Sequence, residues 1–162
     1  MNKLRLYRID IKYIKYLYQF DKRVQYNEKR EDEYTKRRVY LGIVLKIDKF
    51  NYFVPLEHPR PAHQKLKSNI FIFKIHNGKY GMLGFNNMIP VNDTEIVKFN
   101  LDNESEKYKQ ILISQYHFCN KHIQEIQAKA LATYTKSQKN KFLRRVCCNF
   151  KLLEEKLKEY KK

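Results

Sequence analysis

Glycine is scarce, with four in 162 residues, which leaves no room for a glycine-rich loop that cradles nucleotide phosphates. Cysteine is scarcer. Cys119, Cys147 and Cys148 are odd in number and two are adjacent, so they indicate neither a disulfide framework nor a CxxC metal pair. The adjacent pair is expected to pack as small apolar groups inside a helix. Long apolar runs are missing too: the longest, 39–45, spans about seven residues and cannot cross a bilayer. The opening MNKLRLYRID lacks the apolar core of a signal peptide. Together these absences predict a reducing, cytoplasmic setting with no membrane partner. There is also no internal repeat and no low-complexity linker, so 1–162 reads as one domain, long enough to bury a core without staples. Acids are few. Seventeen Asp and Glu face 34 Lys and Arg, a formal net charge of +17, and that excess implies a polyanionic partner, nucleic acid or an acidic membrane surface. The basic residues are spread along the chain rather than gathered on one amphipathic helix, which disfavours the membrane. The chain has no Trp, but its 13 Tyr and 10 Phe argue for a folded protein and supply rings on which bases stack.

Taken in order, 4–9 reads as a strand with partial alternation, and Asp10 can cap a short helix carrying Tyr13, Ile14, Leu17, Tyr18 and Phe20. Residues 21–38 have no clear period and form a long excursion, a length uncommon unless it carries function. Its Tyr26 and Tyr34 stand among Lys36, Arg37, Arg38 and other cations, a mixture suited to phosphates and bases. Two β-rich runs follow, 39–47 and 52–56, joined by a turn at Asp48-Lys49. Residues 70–75 and 79–85 flank Asn77-Gly78, a type I′ hairpin signal, and 86–91 reads as a short strand that Pro90 keeps peripheral. From Asp102 or Asn103 a helix is expected, its stripe running from Ile111 to Leu131. A break is expected over 135–140, and a second helical stripe runs from Phe142 to Leu157. His117 and His122 stand near the first stripe and are assigned to structure. Strands first and long helices last predict an α+β fold, a compact antiparallel sheet or barrel with helices packed on it.

The second β run empties into Glu57-His58-Pro59-Arg60-Pro61-Ala62-His63. This loop holds one carboxylate, two imidazoles and one guanidinium, stiffened by two prolines. Acid, base and cation on a rigid loop at a strand end suit a catalytic site. They equally suit an ordinary polar connection. No Cys/His/Asp cluster stands at metal-ligand spacing.

The order of motifs resembles the ToxN/AbiQ family of endoribonuclease toxins from type III toxin–antitoxin systems, along essentially the whole chain. The segments that carry the resemblance are Gly42-Ile43-Val44-Leu45, Tyr52, Pro55-Leu56-x-x-Pro59, His63 and Asn87-Met88-Ile89-Pro90-Val91. Tyr108, Gln115 and Cys147-Cys148-x-Phe150-Lys151-Leu152-Leu153-Glu154 follow. The resemblance implies a bent antiparallel barrel of the Kid and MazF kind with added helices. It also implies metal-independent RNA cleavage, leaving a 2′,3′-cyclic phosphate and a 5′-hydroxyl. The implied inhibitor is a small repetitive RNA folded as a pseudoknot, processed by the toxin and closing a cyclic protein–RNA assembly. Cellular or phage RNA would be the substrate, and phage defence by abortive infection the outcome. No cofactor is implied.

Carried over by position, the family's Tyr and Lys before the first central strand correspond to Tyr34 and Arg38. Its two hydroxyl residues, Pro and Lys after the second strand become Glu57, His58, Pro59 and Arg60, and its histidine is His63. The two arginines should preserve phosphate binding. The missing hydroxyls leave three alternatives: proton transfer by His58 with Glu57 orienting it, proton transfer by His63, or RNA binding by a site that no longer cleaves. Lys36, Arg37, Arg38, Arg60 and Lys65 are the expected RNA contacts. A basic, non-catalytic nucleic-acid-binding module would also fit the charge.

Overall fold

The computed structural model describes residues 3–26, 38–67, 69–97 and 99–161. Strand β1 (Arg5–Ile9) leads into α1 (Ile11–Phe20), whose Asp10 cap accepts the Lys12 N–H at 2.9 Å. The expected face of α1 turns inward at Tyr13, Ile14 and Leu17, while Phe20 at its end stays exposed. Strands β2 (Tyr40–Ile47) and β3 (Phe50–Glu57) form the central hairpin, turning at Asp48 with φ 52°. Val, Ile, Leu, Tyr and Phe suit this pleated, buried position, and 52–56 is buried throughout.

The next strands are β4 (Ile72–Lys74), β5 (Met82–Gly84), β6 (Ile89–Pro90) and β7 (Ile96–Val97). All pair antiparallel, in the order β4-β5-β3-β2-β1-β7, with β6 also on β3. A register shift between Gly42 and Leu45 bends β2. Gly42 is required there, since a Cβ would fall 2.3 Å from the Phe53 ring. The expected antiparallel sheet is present, but its closure into a barrel is not. Among the described residues the path ends at β4 and β7, strands of three and two residues, too short to carry a closing ladder.

The hairpin at Asn77-Gly78 forms with a longer connection than a two-residue turn. Its last pair is Lys74↔Met82, because His76, Asn77 and Gly78 are all left-handed and wind a 3₁₀ turn over Ile75–Gly78. Helix α2 (Pro61–Lys65) occupies what the sequence presents as loop, with Pro61 at a first-turn position that its missing N–H does not harm.

The C-terminal half is helical as expected but divided more finely. Ser105, not Asp102 or Asn103, caps α3 (Glu106–Lys121) through the Tyr108 N–H at 3.3 Å. The first stripe breaks at His122, where α4 (Ile123–Ser137) begins. The second divides into α5 (Lys141–Val146) and α6 (Phe150–Glu159). Cys147 and Cys148 are buried, yet they lie at this break rather than inside a helix. The reason is a hydrogen bond: the Cys148 N–H leaves the helical ladder for Asn86 O at 2.7 Å.

Two buried polar nodes fasten the helices, one to the sheet and one to each other. Glu154 accepts the Tyr52 and Tyr134 hydroxyls at 2.6 and 2.8 Å, and burial raises the pKa of both phenols, that of Tyr52 strongly. Asp21, closing α1, accepts the Arg23 side chain at 2.8 Å and the Asn149 N–H at 2.7 Å. That second node ties 21–26 to the start of α6 and so fixes where Gln25 points.

Candidate active site at the end of β3

Strand β3 delivers Glu57 half-buried, with one oxygen to each of two neighbours. Oε1 accepts Gln25 Nε2 at 2.7 Å, and Oε2 lies 3.4 Å from Arg38 Nη1. Arg38 also donates to Leu56 O at 3.1 Å, so its guanidinium is pinned from two directions. Gln25 Nε2 donates at 3.0 Å to Asn87 Oδ1, while Asn87 Nδ2 donates to Arg23 O at 2.8 Å. This chain fixes its own polarity. A carbonyl can only accept, so Asn87 must turn its oxygen to Gln25, and Gln25 must turn its nitrogen to Glu57. A cleft of about 490 Å³ opens beside these groups, lined by Lys22, Arg23, Gln25, Tyr26, Arg38 and Asn87 among others.

The two histidines of the loop have different surroundings. His58, next to Glu57, is exposed, with its ring centroid 5.4 Å from that of Tyr108 on α3. His63 is buried at 4% exposure and sits in the first turn of α2. Its N–H donates to Arg60 O at 2.9 Å, and Arg60 N–H donates back to His63 Nδ1 at 3.3 Å. Accepting at Nδ1 requires the neutral ring. Burial lowers the His63 pKa accordingly; Glu57 opposes that shift, and Arg60 and His58 add to it. His63 is thereby a capping group for α2. Arg60 at the helix start and Lys65 at its end are exposed cations.

The structure brings Arg38 to Glu57 at 3.4 Å, and Glu57, Arg60 and His58 lie near enough to His63 to shift its pKa. Tyr34, Lys36 and Arg37 lie outside the described residues. Gln25 and Asn87 join the cluster, although neither residue type nor spacing marks them for a site. Asn87 stood inside a family-like segment, which is a signal, whereas Gln25 had none. Glycine makes the close packing possible, since a Cβ on Gly81 (φ +91°) would lie 2.1 Å from Glu57 O. Among the described residues, no group of three His, Cys, Asp or Glu could hold a metal ion.

A carboxylate clamped between an amide and a guanidinium, with an exposed imidazole at the next position of the chain, supplies groups that can orient a cation and move a proton. That is the equipment for attack at a phosphodiester. Comparison with known proteins points the same way. The family model described as Toxin ToxN, type III toxin-antitoxin system, matches residues 5–158. The chain is 32% identical to endoribonuclease ToxN of Pectobacterium atrosepticum, over 98% of this chain and 95% of that protein. A solved structure of AbiQ, described as a lactococcal anti-phage endoribonuclease of a type III toxin-antitoxin system, is similar with a TM-score of 0.83 and 29% identity, covering 98% of both chains. Another, from work on selective toxin inhibition by a non-coding RNA pseudoknot, is similar with a TM-score of 0.80 and 28% identity, again over 98% of each chain.

Proposed function

The chain belongs to the ToxN family of type III toxin–antitoxin toxins and is an endoribonuclease; from that premise we propose that it cleaves RNA at the end of β3 by internal transesterification. The ribose 2′-oxygen attacks its own phosphorus, the P–O5′ bond breaks, and the products carry a 2′,3′-cyclic phosphate and a 5′-hydroxyl. His58 transfers a proton, from the 2′-hydroxyl or to the leaving 5′-oxygen, since imidazole is the side chain whose ordinary pKa lies nearest neutrality. Arg60 and Arg38 face the charge that builds on the phosphorane. Glu57 holds Arg38 and orients the neighbouring imidazole, and Tyr34 stands where the family places a tyrosine. The observation that carries this reading is the contrast within the loop. Glu57 is held between Gln25 and Arg38 one position before the exposed His58, whereas His63 is buried and accepts Arg60 N–H to cap α2.

The inhibitor is an antitoxin RNA with a pseudoknot fold, which the protein processes and with which it closes a cyclic assembly. The targets are cellular or phage RNA, and the outcome is abortive infection. This reading takes 1–162 as one toxin domain acting in the cytoplasm. Among the described residues no helix is long and apolar enough to cross a membrane. The bend of β2 at Gly42 and the two partners stacked along β3 fit a sheet derived from the Kid and MazF barrel.

The test is cleavage of single-stranded RNA by purified protein with EDTA present. Cyclic-phosphate and 5′-hydroxyl ends are expected. Activity lost to chelator and restored by Mg²⁺ would overturn the mechanism, and binding without any cleavage would leave an RNA-binding module with a degenerate site.

A further inference from the structure

Beyond the catalytic loop, toward the C-terminal end of α3, lies a second group of rings that the proposed reaction does not use. The His76 and Phe118 centroids are 4.3 Å apart, and those of Phe118 and His122 are also 4.3 Å apart. Tyr80 flanks the row at 5.0 Å from His76, and Phe73 backs it at 5.9 Å from His122. His76, Phe118 and His122 border an open cleft of about 360 Å³, lined also by His117 and Lys121. That volume is in the range of small-ligand sites. His76, His117 and Lys121 are exposed, so the ring faces are not simply core packing.

The backbone that presents His76 is unusual. His76 (φ 50°), Asn77 (φ 55°) and Gly78 (φ 92°) are consecutive left-handed residues. Residues with side chains disfavour this conformation, and it persists only where surroundings over-determine it, often at ligand sites. Here Ile75 N–H donates to Gly81 O at 3.0 Å, Tyr80 N–H to Ile75 O at 3.2 Å, and Gln115 Nε2 to Tyr80 O at 2.7 Å. Glycine would satisfy the turn without strain, yet an imidazole stands there, over Phe118.

We propose that this patch is a second nucleotide site, holding a base of the same single-stranded RNA that is engaged at the catalytic loop; the proposal rests on the reading that the protein acts on RNA. The base stacks on the His76–Phe118–His122 rings, and Lys121 takes the adjoining phosphate. Stacking needs only a π-face and is tolerant of sequence, which suits a patch of imidazoles and a phenyl. Glu125, 3.8 Å from His122 Nδ1, is the acid at the α4 margin and turns the phosphate toward Lys121. Position supports continuity. Phe118 lies ten residues along α3 from Tyr108, the neighbour of His58, or about 15 Å at the helical rise. A strand of a few nucleotides spans that gap.

The experiment compares 2′-O-methyl oligouridines of two and twelve nucleotides, which lack the attacking hydroxyl and cannot be cleaved, by fluorescence anisotropy. The dinucleotide is too short to reach from the catalytic loop to the patch. Phe118→Leu and His76→Gly should each weaken the twelve-mer about five- to hundredfold and leave the dinucleotide unchanged, a difference that the charge-driven gain of a longer strand, common to wild type and variants, does not produce. Thermal unfolding of both variants reports folding, and His76→Gly relieves strain rather than adding it. A 5-iodouridine in the twelve-mer should photocrosslink to the peptides bearing Phe118 or His76. Folded variants that bind the twelve-mer like wild type, with crosslinks elsewhere, overturn the patch while cleavage by wild type still stands. Crosslinks at the patch in a protein that never cleaves RNA sink the catalytic reading and leave the patch intact.

Discussion

At the scale of single residues, the loop after β3 sets His58 against His63. A positioned general acid or base is worth about 10²–10⁴-fold in rate, whereas an exposed surface imidazole is worth almost nothing. His58→Ala is therefore expected to lower RNA cleavage by about that factor and to leave antitoxin binding in place. His63→Ala should act instead through stability, because it removes the acceptor for Arg60 N–H. Wild-type rates in His58→Ala, with inactivity in a folded His63→Ala, would move the proton transfer to His63. A second prediction follows from burial. The folded His63 pKa is depressed, so in the window below the ordinary imidazole value of about 6.5 the unfolded chain binds a proton that the folded chain does not. Stability therefore falls as pH drops through that window, down to the folded pKa. Urea unfolding midpoints at pH 7.5 and 5.5 should differ less in His63→Gln than in wild type; an equal pH dependence in both would show that His63 contributes nothing to it. Glu57, His58 and Arg60 were legible because they are adjacent in sequence. Gln25 was not, since its bonds reach Glu57 and Asn87 across separations of 32 and 62 residues, and no local pattern encodes such a meeting.

At the scale of elements, local chemistry read well where it acts alone and poorly where tertiary bonds compete with it. Asp10 caps α1 and Asp48 turns β2 into β3, as their types suggest. The stripe from Ile111 to Leu131 looked continuous because periodicity survives a one-residue kink, here at His122. The Cys147-Cys148 break was hidden for another reason, a single long-range bond to Asn86 O. The Asn77-Gly78 signal located its turn correctly but not its length, since His76 also takes up left-handed backbone. Gly81 shows what that connection does for the site. At φ +91°, with Glu57 O where a Cβ would stand, it allows the β4–β5 connection to close on the end of β3. Gly81→Ala meets both backbone strain, about 1–3 kcal/mol, and a collision with backbone that cannot swing aside. A loss of stability of at least that size is expected, with reduced cleavage because Glu57 must shift. A urea midpoint equal to wild type would show that the connection gives way freely and does not position the carboxylate.

At the scale of the whole molecule, charge decides affinity more than any one contact. A formal charge of +17 predicts RNA binding driven by release of condensed counterions, with log affinity falling linearly against log salt, by about 0.7 for each phosphate contacted on a single strand. Composition alone made this legible; which face binds was not, because cations are spread along the chain and only folding gathers them. Arg60 and Lys65 stand exposed at the two ends of α2, beside the proposed reaction. Arg38 is a poorer probe, since its substitution would also release Glu57. The informative variant is Arg60→Gln with Lys65→Gln, measured on a 2′-O-methyl RNA that binds without being cut. Two lost phosphate contacts should flatten the salt slope by about 1.4 and weaken binding most at low salt, where counterion release is largest. A companion variant, Lys36→Gln with Arg37→Gln, tests the basic segment before β2 in the same way. If the α2 pair leaves slope and affinity unchanged while the companion lowers both, the strand enters from the β2 side and α2 makes no phosphate contact in the bound RNA. If neither pair changes the slope, the binding face lies away from the end of β3, and the charge of this protein guides RNA to a site not yet located.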